Sequence, residues 1–335
     1  MTASVGKPEY TVYVVAGTTK YNITPAIESI DIADRGKQMS KCVTIQLMNQ
    51  KVGDQWLSSL LGVRNRVYVY AKDGDQEKET FRGYVWDRGY KSGNSDRTLQ
   101  LKCYDNLIYF QESDHSAYFS SGKSTEAVCK SLCDDWGVKL EYSYESITHS
   151  KLPLRGNLSD IFTADVLDLV KDRTGKKYVI LSEKDVMQIR GVGMNSTIYH
   201  FLAGKNVEQT SSVCTMDGMT TKVIILGKAD DDDRRPVEAT VSGDTAKYGT
   251  LQKTINRDEN TSLADAKKEA QNIIDKDGKP KWEFELHAAD IPWIRKGDKV
   301  YVDAGDMSGY YIVTAIDRTI SLKKREMILS LESSE

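Results

Sequence analysis

Cys129 and Cys133 stand four positions apart, one helical turn, which is a spacing that can hold a metal ion. They lack a nearby histidine or a second cysteine pair, so they read as small core residues of a helix. The four histidines, His115, His149, His200 and His287, fall in no zincin or deaminase spacing. Asp160, Asp165 and Asp168 cluster where a helix begins, so they read as caps and dipole partners rather than as a glycosidase pair. The run Asp230 to Asp233 offers oxygen ligands for calcium. It has neither the spacing nor the glycine of a calcium loop and reads as solvated. Gly191-Val-Gly193 lacks the third glycine and the following helix of a dinucleotide site and reads as a turn. Cys42, Cys103 and Cys214 lie in strand or loop text, away from any helix start that would activate a nucleophile. No Gly-x-Ser-x-Gly elbow or phosphate-binding loop occurs. The reading is therefore no catalytic residues, no cofactor and no metal.

The elements around these residues are mostly strands. Tyr10 to Val15, Lys41 to Leu47, Arg66 to Tyr70, Phe81 to Trp86 and Thr98 to Tyr104 alternate apolar and polar positions. Lys72-Asp-Gly-Asp75 and Ser92-Gly-Asn-Ser95 are turns between them. After Tyr109 helices enter. Ser124 caps one that runs to Trp136 and stops at Gly137. A second spans about Thr163 to Arg173, buries Val166, Leu167 and Val170, and stops at Gly175. A hairpin of Lys177 to Leu181 with Asp185 to Arg190 follows. Ser262 to Ile274 is the clearest helix, with Leu263, Ala266, Ala270, Ile273 and Ile274 on one face. The remaining strands are Ser196 to Leu202, Thr221 to Leu226 and several from Trp282 to Leu331.

One pattern occurs twice. Val67-Tyr68-Val69, Trp86-Asp87-Arg88 and Leu99-Gln100-Leu101 are echoed by Val300-Tyr301-Val302, Ile316-Asp317-Arg318 and Leu329-Ser330-Leu331. Asp87 to Leu99 and Asp317 to Leu329 are both steps of twelve. The expectation is a mainly β chain with an α+β insertion: two similar antiparallel β-barrel domains plus a smaller α+β domain. Their boundaries are 1–108 for the first barrel, 109–195 with 229–280 for the α+β domain, and 196–228 with 281–335 for the second barrel.

Composition narrows the function classes. A chain of 335 residues is long enough to bury proper cores without disulfides, and five cysteines at scattered spacing make no disulfide framework. A net charge of −3 argues against a general grip on nucleic acid. Tyrosine outnumbers phenylalanine 18 to 6, which suits half-wet sheet surfaces. Trp136 and Trp282 read as buried, which counts against an aromatic platform for carbohydrate. Residues 1–9 hold no apolar leader and no stretch reaches a membrane span, so the expectation is folding in the cytoplasm.

The order of segments resembles the baseplate hub proteins of contractile phage tails and phage-tail-like particles. The nearest branch is the XkdQ/YqbQ family, with a more distant similarity to phage late control D proteins and type VI secretion spikes. The carriers are Phe81-Arg-Gly-Tyr-Val-Trp86, Tyr104-Asp105 with Tyr109, the 124–137 helix, Leu158-Ser-Asp160, Gly175-Lys-Lys-Tyr178, Tyr248-Gly249, Ala264 to Ala270, Ile294-Arg-Lys-Gly-Asp298 with Val300, and Gly309-Tyr-Tyr-Ile-Val313. The resemblance implies a homotrimer whose two barrels per subunit form a six-fold-like ring. It implies the tail tube protein, central spike protein, tape-measure protein and other baseplate proteins as partners. It also implies a place in the baseplate of a virion or tail-like particle, assembled in the bacterial cytoplasm. Some members are called cell-wall hydrolases, but no residue set here supports that chemistry. The alternatives are a tail-associated peptidoglycan hydrolase and a cell-surface carbohydrate-binding module.

Overall fold

The computed structural model describes residues 7–36, 38–93, 97–229, 234–257 and 261–334. Asp230 to Asp233 and part of the Ser92–Ser95 turn lie outside them. The chain is mostly β, with 51% strand against 18% helix, and a large antiparallel sheet dominates it. It divides into two compact units, residues 1–211 with 284–335 and residues 212–283.

The larger unit is built on two meanders. The first is Arg66–Asp73, Gln76–Ser92 and Arg97–Tyr104; the second is Lys299–Ala304, Met307–Ser321 and Arg325–Ser333. In each, a long middle strand pairs with a short strand on both sides and carries a bulge against the third. Trp86 is the extra residue of one bulge and Thr314 of the other. Val67 faces Gly83 and Val300 faces Tyr311, each partner three positions before its bulge. The Val-Tyr-Val match of the sequence is thus a true structural equivalence. The Asp-Arg match is displaced. Arg88 and Ile316 are the residues two positions past the bulge, facing Leu101 and Leu329. Arg88 is exposed, whereas Arg318 lies further along and points inward.

The two meanders are not separate barrels. Ile316–Ser321 pairs antiparallel with Ser29–Asp34, and that strand pairs with Cys42–Met48, which pairs with Arg97–Tyr104. Both meanders therefore belong to one sheet, and no closed barrel forms among the described residues. Each still keeps its own core. One gathers Val12, Ile45, Val67, Val69, Leu99 and Leu101; the other gathers Phe201, Leu286, Val300, Val302, Ile316 and Leu329. Strand alternation places these residues on the inner face, and the separate clusters make two packing units of one sheet.

Residues 109–195 add a small α+β layer. Ser124 caps helix Thr125–Asp135 by accepting from the Ala127 N–H, and Gly137 ends the turn at φ +65°. The second helix starts earlier than its periodicity indicates, at Leu158, and widens to a π turn over Ile161–Leu167. There the Thr163 hydroxyl donates to the Ser159 carbonyl at 2.8 Å. Val166, Leu167 and Val170 are buried as expected, with Phe110, Phe162 and Leu132 completing the core.

The smaller unit centres on Lys222–Leu226. This strand, expected in the second barrel, pairs instead with Val237–Ser242 and, in parallel, with Gln252–Asn256. Helix Leu263–Asp277 covers it with Ala266, Ala270 and Ile274, after Ser262 has capped the Asp265 N–H. A strand with inward Val223 and Ile225 takes whichever apolar face closes nearest in sequence, and here that is the helix. Leu263, at the start of that helix, is left partly exposed. Trp282 is a correction: it is 56% exposed, because it starts its strand before the inward positions Leu286 and Ala288 reach their core.

Candidate functional site

The residues with chemical promise are dispersed. Cys129 and Cys133 are fully buried, and burial pushes the Cys133 thiol up to about 12 and holds the Cys129 thiol well above its ordinary value. Neither is a thiolate at neutral pH. Cys103 is buried as well, and burial raises the Cys42 thiol. Asp160 and Asp165 are exposed, and Asp168 binds Lys171 and accepts from the Tyr178 hydroxyl. His149 sits buried against the Thr125 hydroxyl at 2.9 Å, and His115 meets the Trp136 ring edge-to-face. His200 stacks on Tyr301, and His287 pairs with Glu285. Gly193 is a turn residue at φ +72° whose N–H donates to the Gly297 carbonyl. No group of three metal-ligating side chains converges among the described residues.

Charge converges elsewhere, along the seam between the two meanders. Arg318 faces Ile32 across the joining strand pair and is buried. Its Nε donates to Asp290 at 2.9 Å, and Nη2 donates to the carbonyls of Ile294 and Ile291. The other oxygen of Asp290 accepts from the Tyr10 hydroxyl. Burial and the Asp290 charge together push the Tyr10 hydroxyl well above its usual range. Asp34, at the end of the joining strand, lies 3.1 Å from Lys296 and 3.8 Å from Lys41. Burial alone would raise the Asp34 carboxyl, but the two lysines outweigh it and hold it below the ordinary value. Lys296 also donates to the carbonyls of Arg35 and Gln38. Trp293 completes the seam by packing against both cores. This network ties the first 105 residues to the last 50 by charge as well as by strand pairing.

Asp105 closes the first meander. It accepts from the Ser40 hydroxyl and from the N–H groups of Lys41 and Leu107. Burial nevertheless wins, and its carboxyl is pushed up to about 6. The folded protein therefore binds a proton that the unfolded chain, with an aspartate near 3.9, has released. Stability falls as pH rises from about 4 through 6, by about 3 kcal/mol in all. Asp105→Asn removes that slope and forfeits the acceptor for the Lys41 N–H. Urea midpoints of the two proteins at intervals between pH 4 and 7 check it. Parallel curves would contradict the assignment.

The hairpin Tyr178–Glu183 with Val186–Gly191 is clasped onto the first meander. Lys184 and Asp185 turn it with positive φ at both residues, 52° and 68°. Asp185 then pairs with Arg66 and Arg82, and its carbonyl accepts from Asn106. None of Tyr10, Asp34, Lys41 or Asp290 stands out by motif, and Lys296 does so only as part of Ile294-Arg-Lys-Gly-Asp298. Arg318 carried a signal that periodicity could have used, since it occupies an inward position between Ile316 and Ile320.

The comparisons with known proteins fit this architecture. The tail protein from Neisseria meningitidis MC58 shares the fold with a TM-score of 0.70 at 12% identity, over 97% of each chain. The 43 kDa tail protein of prophage MuSo2 from Shewanella oneidensis gives 0.69 at 16%, over 97% of this chain and 98% of that one. A Francisella PdpA–VgrG complex gives 0.60 at 10%, over 98% of this chain and 60% of that one. At such identities the likeness is one of fold. No protein of curated function matches the sequence. The model of the YQBQ-like family matches residues 34–332, from the joining strand to the last strand of the second meander. With nearly the whole sequence inside that match, the chain belongs to the YQBQ-like family.

Proposed function

We propose that the chain is the structural hub of a contractile-tail baseplate, a homotrimer that joins the six-fold tail tube to the three-fold central spike. The observation that carries this reading is the pair of bulge-matched meanders, each with its own core, within one chain. A three-fold object bonds evenly to a six-fold ring only if each subunit supplies two equivalent surfaces. The segments 1–108 and 284–335, with the strand Tyr199–Leu202, would act as the two tube-like units. Residues 109–195 and 212–283 would face the other baseplate proteins, and the ring would contact the tape-measure protein. The role is structural, and the fold shared with phage tail proteins and a VgrG complex supports it. It would place the protein in the baseplate of a virion or tail-like particle.

Native mass spectrometry over a concentration series, alone and with the tube and spike proteins, tests the reading. The expected species is a trimer, either intrinsic or induced by a partner. A monomer that ignores both partners at every concentration would overturn it.

A further inference from the structure

A cavity of about 720 Å³ opens beside the seam, within the larger unit. Its wall mixes acids and bases, but the acids are already engaged. Glu79 holds Arg82, Glu183 holds Arg295, Asp298 holds Arg190 and Asp34 holds Lys296. Asp105 is bound by the Ser40 hydroxyl and by the N–H groups of Lys41 and Leu107. Among the described residues, Lys78 and Lys184 of the same wall meet no carboxylate at ion-pair distance, and Lys41 is held only at long range. Lys41 lies 3.8 Å from one Asp34 oxygen, a carboxylate that Lys296 already holds at 3.1 Å, and donates to the Thr80 carbonyl at 3.5 Å. Lys78 lies over the Trp293 ring at 5.3 Å from its centroid. Lys184, at the tip of the clasped hairpin, meets no carboxylate at ion-pair distance among the described residues. Arg190 adds a buried Nε–H without an acceptor.

A concave wall with surplus positive charge favours an anion more strongly than a flat surface does. The volume is that of an organic ligand rather than of a single ion, and Trp293 supplies an apolar face. We propose that the cavity receives a carboxylate borne on an extended acidic segment of a partner protein. The carboxylate pairs with Lys41 and Lys184, and a neighbouring apolar side chain lies on Trp293. The inference is separate from the hub reading, since it requires an acidic partner segment and not a three-fold ring.

The fluorescence of Trp293 in the full chain at low salt reports occupancy, with Trp293→Phe assigning the signal. The peptide acetyl-Asp-Leu-Glu-amide is expected to change it, and acetyl-Asn-Leu-Gln-amide to leave it unchanged. Lys184→Asn keeps a residue that tolerates the left-handed turn, so it preserves the hairpin and removes only the charge. It should weaken the acidic peptide five- to tenfold, and Lys41→Met more, if that variant folds. Inorganic phosphate is the arm for a free anion. Equal binding of the neutral peptide, unchanged affinity in Lys184→Asn, or a response to phosphate alone would each overturn the proposal.

Discussion

Arg318→Met lowers the stability of the protein by about 3–5 kcal/mol, the range for breaking a buried ion pair by removing one partner. The guanidinium satisfies three acceptors at once: Asp290 and the carbonyls of Ile291 and Ile294. Methionine fills much of the volume but leaves a buried carboxylate with the Tyr10 hydroxyl as its remaining side-chain partner. It also strands the two carbonyls in the seam. Arg318→Lys falls between the two proteins, because an ammonium keeps the charge opposite Asp290 but cannot reach all three acceptors. Urea unfolding ranks the three. A methionine variant within about 1 kcal/mol of the parent would show that the seam rests on strand pairing and apolar packing instead, the ordinary weight of a surface pair.

The seam also marks the limit of what the sequence shows. Local elements were legible because their causes are local. Ser124 and Ser262 cap, Gly137 and Gly175 stop, and Val67 and Val69 alternate. Joining Ser29–Asp34 to Ile316–Ser321 is a different kind of fact. Both strands alternate well enough to pair with many others, and nothing within either names its partner nearly 300 residues away. Two closed barrels were therefore the natural expectation. The same reason explains Lys222–Leu226, whose apolar face fits a helix as well as a barrel.

The repeat was legible in part. Core positions in any sheet must be apolar, so Val-x-Val and Leu-x-Leu recur without common ancestry of register. Tyr68 and Tyr301 were the more informative members, since outward positions are not constrained by the core. They are the ones that the bulges bring into equivalence. The Asp-Arg pairs match by type, yet they do unlike work. Arg88 reaches the Ser58 carbonyl at an exposed edge, and Arg318 is the centre of the buried network. Charge in a strand indicates function only once its face is known.

Gly83→Ala is expected to cost about 3 kcal/mol, at the upper end for overpacking, because the obstruction is backbone. A Cβ at this position would lie 2.1 Å from the Tyr104 carbonyl oxygen and 2.6 Å from the Phe81 ring. The phenylalanine can rotate, but the carbonyl cannot retreat. Tyr104 faces Tyr84 across one strand pair and Cys42 across another, and the next residue, Asp105, is pinned to Ser40 and Lys41. Gly83 also stands where the long strand passes from one neighbour to the other, just before the Trp86 bulge. Pushing it outward would shift the register that makes the two meanders equivalent. Gly89→Ala is the control on the same strand, since its nearest atom would be 3.9 Å away. It should stay within about 0.5 kcal/mol of the parent. If both variants unfold at the same urea concentration, the close crossing is not what requires glycine at 83. If only Gly83→Ala is weakened, and the assembly proposed above falls with it while the smaller unit keeps its helix, then the bulge register is the feature on which the proposed paired surfaces depend.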